Sequence, residues 1–127
     1  MIVRPIPPKE PSFGYKWHLK TAFKKGKLPT VTRDVSGQML TADNVTIDHI
    51  IPHSKGGKTV DGNLMLASAG FNNRRGNRSL FDFVTIEQVR IFFSQFIDVK
   101  YKGFDGNQYV KAAMKTITEE FKKWTTK

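Results

Sequence analysis

Apolar positions along this chain fall into short periodic runs separated by turn-forming residues, and those runs predict the elements. Tyr15, Leu19, Ala22 and Phe23 recur at helical spacing, with Lys16, Lys20 and Lys24 on another face, so a short helix is expected from Tyr15 to Lys25. Gly26 and Pro29 stop it. From Val31 to Ile51 the pattern turns strand-like, broken by turn signals at 35–38 and 42–44. The β-branched run Val45-Thr46-Ile47 leads into Asp48-His49-Ile50-Ile51 and ends at Pro52. Residues 53–62 read as a loop and Asn63 to Ala67 as a second short strand. Residues 68–76 suit a short helix with Ser68 as its N-cap.

Two further helices are predicted, at 85–97 and 107–123. Thr85 and Gln88 make a capping-box pair for the first, whose apolar stripe is Ile86, Val89, Phe92, Phe93, Phe96 and Ile97. Tyr109, Val110, Ala113, Met114, Ile117 and Phe121 line one side of the second. Both are expected to pack against the small β region. Pro5, Pro7, Pro8 and Pro11 make residues 1–13 an extended arm, which leaves 14–127 as one α+β domain.

Composition narrows the chemistry. With no cysteine among 127 residues, disulfides, Cys-zinc sites and thiol catalysis are excluded together. No apolar run is long enough to span a membrane, and no secretion signal is expected at the start. The absence of cysteine fits a reducing, cytoplasmic setting. The net charge is +10, and 13 basic against 5 acidic side chains in residues 1–80 concentrate it in the first two thirds. Such a field attracts polyanions, nucleic acid first.

The chemistry concentrates between Thr46 and Asn77. Asp48 and His49 are adjacent at the end of a strand, and both can serve one site only where the strand ends or twists. A hard divalent ion prefers oxygen ligands; Asp48 supplies a carboxylate, and an Asn amide from the later helix supplies a second oxygen. His49 titrates near neutrality and can take a proton from water. Those parts suffice for phosphodiester hydrolysis. The loop glycines Gly56 and Gly57 are read either as a backbone phosphate cradle or as a plain turn.

Asp48-His49-Ile50-Ile51-Pro52, then Gly56-Gly57, then Asn63-Leu64, then Asn72-x-x-Arg75-Gly76 resembles the HNH endonuclease motif of the ββα-metal, or His-Me finger, nucleases. The resemblance covers residues 45–77, about a quarter of the chain. It implies a ββα-metal core: a two-stranded antiparallel hairpin and a helix, here with flanking helices and no structural zinc. It implies that His49 is the general base, that Asn63 ties the loop and helps orient His49, and that Asp48 and Asn72 hold one divalent ion. Asn73 is the rival for Asn72's role. Arg74, Arg75, Arg78, Lys55 and His53 are the implied nucleic-acid contacts, with His53 otherwise merely lining the loop. Many members carry two Cys-x-x-Cys pairs around this motif; this chain has none. An asparagine where many carry a final histidine favours Mg²⁺ or Mn²⁺.

The implied activity is metal-dependent hydrolysis of DNA, double-stranded most of all, like that of small phage or mobile-element HNH nucleases. The alternatives are a non-catalytic nucleic-acid-binding protein on the same scaffold and an RNA-directed nuclease. No membrane partner is expected. The chain is read as a monomer or homodimer, with a protein partner as one source of sequence specificity.

Overall fold

The computed structural model describes residues 13–126, with side chains from His18 onward. The predicted arm therefore lies outside the described residues except for Phe13, which opens helix α1, Phe13–Lys24. The centre of the fold is an antiparallel hairpin of β1, Val45–His49, and β2, Leu64–Ser68. Its register pairs Val45 with Ser68 and His49 with Leu64. Helix α2, Ala69–Arg75, follows β2 directly because Ser68 caps it, accepting from the Phe71 amide at 3.3 Å. Hairpin and helix together make the expected ββα unit. Among the described residues no helix is long and apolar enough to cross a membrane.

The stretch before the hairpin departs from its strand-like pattern. Residues 31–44 hold turns and one isolated bridge between Arg33 and Met39. The reason is Asp34, whose buried carboxylate accepts from the amides of Ser36, Gln38 and Ser68 and from the hydroxyls of Ser36 and Ser68. A side chain that takes so many donors replaces a strand ladder with a knot, and it fastens that knot to the end of β2. Gln95 holds the same stretch from the other side, its Oε1 accepting from the Thr32 and Arg33 amides.

Helix α3, Ile86–Ser94, begins with the capping box predicted for Thr85 and Gln88. It ends three residues short of the expected boundary, so Ile97 is 50% exposed instead of joining the core. Phe92, Phe93 and Phe96 are buried as a cluster with Phe104 and Tyr109; Phe96 and Tyr109 centroids lie 5.1 Å apart, edge to face. A second hairpin, β3 Lys100–Tyr101 and β4 Phe104–Asp105, was not predicted, because two-residue strands carry no periodicity to read. Asp105 caps helix α4, Gly106–Thr125.

Helix α4 lies against the turn Asp61–Asn63 that leads into β2. Its Tyr109 hydroxyl donates to the Leu64 carbonyl. A Cβ on Gly62 would come within 3.0 Å of the Ala112 Cβ, so the turn and helix touch closely. This contact traps Asp61. Its buried Oδ1 has no hydrogen-bond partner among the described residues, and burial pushes the carboxyl up from 3.8 to about 7.

Folding therefore tightens proton binding at Asp61, and stability falls as pH climbs from 3.8 to about 7. Asp61→Asn should remove that slope and raise the melting temperature by a few degrees above neutral pH, with no gain near pH 4. Thermal melts across this range check it; parallel profiles for the two proteins would exclude the effect.

Candidate active site

The site is built where β1 ends. Strand alternation points Thr46 and Asp48 to one face and His49 to the other. Helix α2 crosses the first face with two side chains three positions apart. Asn72 donates its Nδ2 to Thr46 Oγ1 at 2.9 Å, and Arg75 donates its Nη1 to Asp48 Oδ2 at 3.1 Å. One helical turn thus lies along one strand repeat. Asn73 is exposed on the other side of the helix.

Arg75 departs from its expected role. Its side chain is 0% exposed. Besides Asp48, it donates Nη1 to the His49 carbonyl at 2.8 Å, Nη2 to the Ile50 carbonyl, and Nε to the Arg78 carbonyl at 2.9 Å. A guanidinium occupied on all sides cannot reach a phosphate, so Arg75 is a structural latch and not a nucleic-acid contact. Arg74 and Arg78 are exposed, as are Lys55 and His53. Arg78 lies over the Phe83 ring at 4.7 Å and donates to the Arg74 carbonyl at 2.7 Å; Arg74 stands 5.7 Å from the Phe71 ring centroid.

The loop between the strands is held at its neck. Asn63 is buried; its Oδ1 accepts from the Ile51 amide at 2.8 Å, and its Nδ2 donates to the carbonyls of Ile51 and Lys58. Its own carbonyl accepts from Ile50, extending the hairpin one residue past β1. Gly57 sits against this neck, where an added Cβ would fall 1.8 Å from the Ile51 carbonyl oxygen and 2.8 Å from Asn63 Nδ2. No other residue fits. The amides of Gly56 and Gly57 donate to His53 and Pro52 carbonyls, which leaves the turn reading and removes the phosphate cradle.

His49 projects into the space this loop encloses, half-buried, with Nε2 hydrogen-bonded to Thr59 Oγ1 at 2.8 Å. A hydroxyl accepts from a protonated ring nitrogen and donates to a bare one, so Thr59 can support the imidazole in both states. The His53 ring lies 6.0 Å from that of His49, edge on. Thr59 and Thr46 escaped the sequence reading: both belong to pairs made by the fold, although Thr46 lies two residues before Asp48 on the same strand face.

Burial raises the Asp48 carboxyl above its usual range, and the Arg75 charge and hydrogen bonds offset only part of that. Asn72, with its amide nitrogen on Thr46, accepts no hydrogen bond at Oδ1 among the described residues. A buried carboxylate and an uncommitted amide oxygen on one face suit a hard, oxygen-seeking ion. Among the described residues no group of three or more His, Cys, Asp and Glu side chains gathers to hold a metal ion, so an ion here would rest on the carboxylate, the amide and water.

A family model described as HNH endonuclease matches residues 33–78. The match begins upstream of the motif itself, at the Asp34 knot that fastens to Ser68. No curated protein matches the chain.

Arg75→Met should cost about 3–5 kcal/mol, since it leaves the buried Asp48 charge and three carbonyls uncompensated. Adding Asp48→Asn should recover part of that loss. Chemical denaturation of both variants is the check, and a single variant as stable as the parent would rule out the latch.

Proposed function

We propose that this chain, whose residues 33–78 match an HNH endonuclease family model, is a metal-dependent endonuclease hydrolysing phosphodiester bonds in DNA. The observation that carries this reading is the α2 crossing: Asn72 and Asp48 share one face at the end of β1, while His49, at the same strand end, has a hydroxyl partner suited to both of its protonation states.

His49 acts as the general base. It takes a proton from a water molecule as the water oxygen bonds to phosphorus, and the bond from phosphorus to the 3′ oxygen breaks. The 3′ oxygen leaves with a proton from solvent, giving the 5′-phosphate and 3′-hydroxyl ends that the family resemblance implies. Thr59 holds the imidazole in position before and after the transfer. Asn63 is a positioning residue: it fixes the loop that carries Thr59 and touches no reacting atom.

Asp48 and Asn72 would hold one divalent ion, Mg²⁺ or Mn²⁺, through oxygen. When bound, the ion neutralises charge on the phosphate and the leaving oxygen. The exposed Arg74, Arg78, Lys55 and His53 meet the DNA backbone around the cut. The basic excess of the first 80 residues draws duplex DNA without reading its sequence, so specificity is low or lent by a protein partner.

Supercoiled plasmid incubated with Mg²⁺, Mn²⁺ or Zn²⁺ should be cut in the first two and spared in excess EDTA. His49→Ala should lower the rate by at least about a hundredfold while DNA binding persists. A fully active His49→Ala protein, or cleavage undiminished by EDTA, would refute the mechanism, and faster cutting of single-stranded RNA would replace DNA as the substrate. Digestion of a long genome should give many cuts; one discrete cut would overturn low specificity.

A further inference from the structure

Beside the loop that follows β1 opens a groove of about 240 Å³. It is lined by Pro52 and Lys55, by Ser79 after α2, and by Glu120, Lys123 and Trp124 from the last turns of α4. The loop that carries His53 and Lys55 links the groove to the site. The single 3-10 turn His53–Lys55 sets His53 beside His49 at one end and points Lys55 toward the groove at the other.

Its chemistry has two parts. Lys55 and Lys123 are exposed cations that line the groove from two different elements. Trp124 is half-buried and held in place, because Nε1 donates to Asp82 Oδ1 at 2.9 Å and the ring stacks at 25° beside Phe121. A ring fixed before binding gives a base a surface to stack on at little cost in order. Glu120 opposes this charge. Its carboxylate accepts from Ser79 Oγ at 2.8 Å and remains in the groove. Two cations against one anion hold a free phosphate poorly. A ligand that adds stacking and further phosphates on either side fits better, and that describes a nucleic-acid strand.

We propose that this groove carries the strand of substrate DNA leaving the scissile phosphate, with backbone phosphates at Lys55 and Lys123 and a base against Trp124. The proposal rests on the endonuclease reading of the His49 site, and binding measured without cleavage separates the two.

The test uses the full chain and a fluorescently labelled DNA duplex with a single-stranded extension, followed by anisotropy in EDTA. Lys55→Ala with Lys123→Ala should weaken binding about tenfold and flatten the salt slope by about 1.4–1.8. Trp124→Leu should weaken it about fivefold or more, while Trp124→Phe, which keeps an aromatic face, should retain affinity. Glu120→Gln, which keeps an acceptor for Ser79, should tighten binding. Parental affinity and salt slope in the double lysine variant would overturn the groove, as would equal affinities for the leucine and phenylalanine variants. Should those variants bind normally while the parent protein still cuts DNA, only the groove falls; should the parent bind no DNA, the endonuclease reading falls with it.

Discussion

One buried guanidinium sets the geometry of everything near the site. Arg75 gathers the Asp48 carboxylate and the carbonyls of His49, Ile50 and Arg78 around a single planar fork. Those groups belong to the end of β1, the chain leaving it and the segment after α2. Where a strand stops inside a protein, its last carbonyls lose their ladder partners and need others. Arg75 supplies them and in the same act fixes the height of α2 above β1. Lysine could not do this, since its ammonium lacks the planar fork. The arrangement is costly in isolation, because desolvating a charge pair opposes its attraction. It is sustained because each of the three guanidinium nitrogens has an acceptor and the surrounding core is aromatic.

That core answers the absence of cysteine. Where many HNH members brace the motif with zinc, this chain places α3 and α4 behind the hairpin. Phe92, Phe93, Phe96, Phe104 and Tyr109 interlock there, and Tyr109 fastens its hydroxyl to the first residue of β2. Burying that many rings yields far more than one hydrogen bond. The packing exacts its strain at Asp61, a carboxyl closed in by the same α4 contact that steadies the turn before β2.

Much of this was legible in the sequence, and the failures have identifiable causes. The ββα unit, the Ser68 cap and the Thr85–Gln88 box follow from local chemistry, which a linear reading captures. Arg75 was misread as a phosphate contact because a basic residue beside a nuclease motif looks solvent-facing. The signal was present: residues 72 and 75 share a helix face, so an Asn72 turned toward β1 carries Arg75 inward with it. Asp34 and Thr59 could not be found this way. Their partners, Ser68 and His49, are distant in sequence and adjacent only after folding. Ile97 was counted in the core because periodicity was extended past the point where α3 stops.

On the proposed function, the constrained neck of the loop between the strands serves the placement of His49. Asn63 and Gly57 lock its base so closely that a single added carbon would collide, and the glycine amides are consumed inside. On the proposed function, phosphate recognition falls to exposed side chains around this neck: Lys55, Arg74 and Arg78. A general base must meet its water at hydrogen-bond distance, and an error of about 1 Å costs a large share of the rate. His49 gains that positional constancy from the neck below it and the Thr59 hydroxyl beside it. On the proposed function, exposed cations grip a backbone of any sequence, so a held imidazole and surface charge divide between them the needs of chemistry and of unspecific grip.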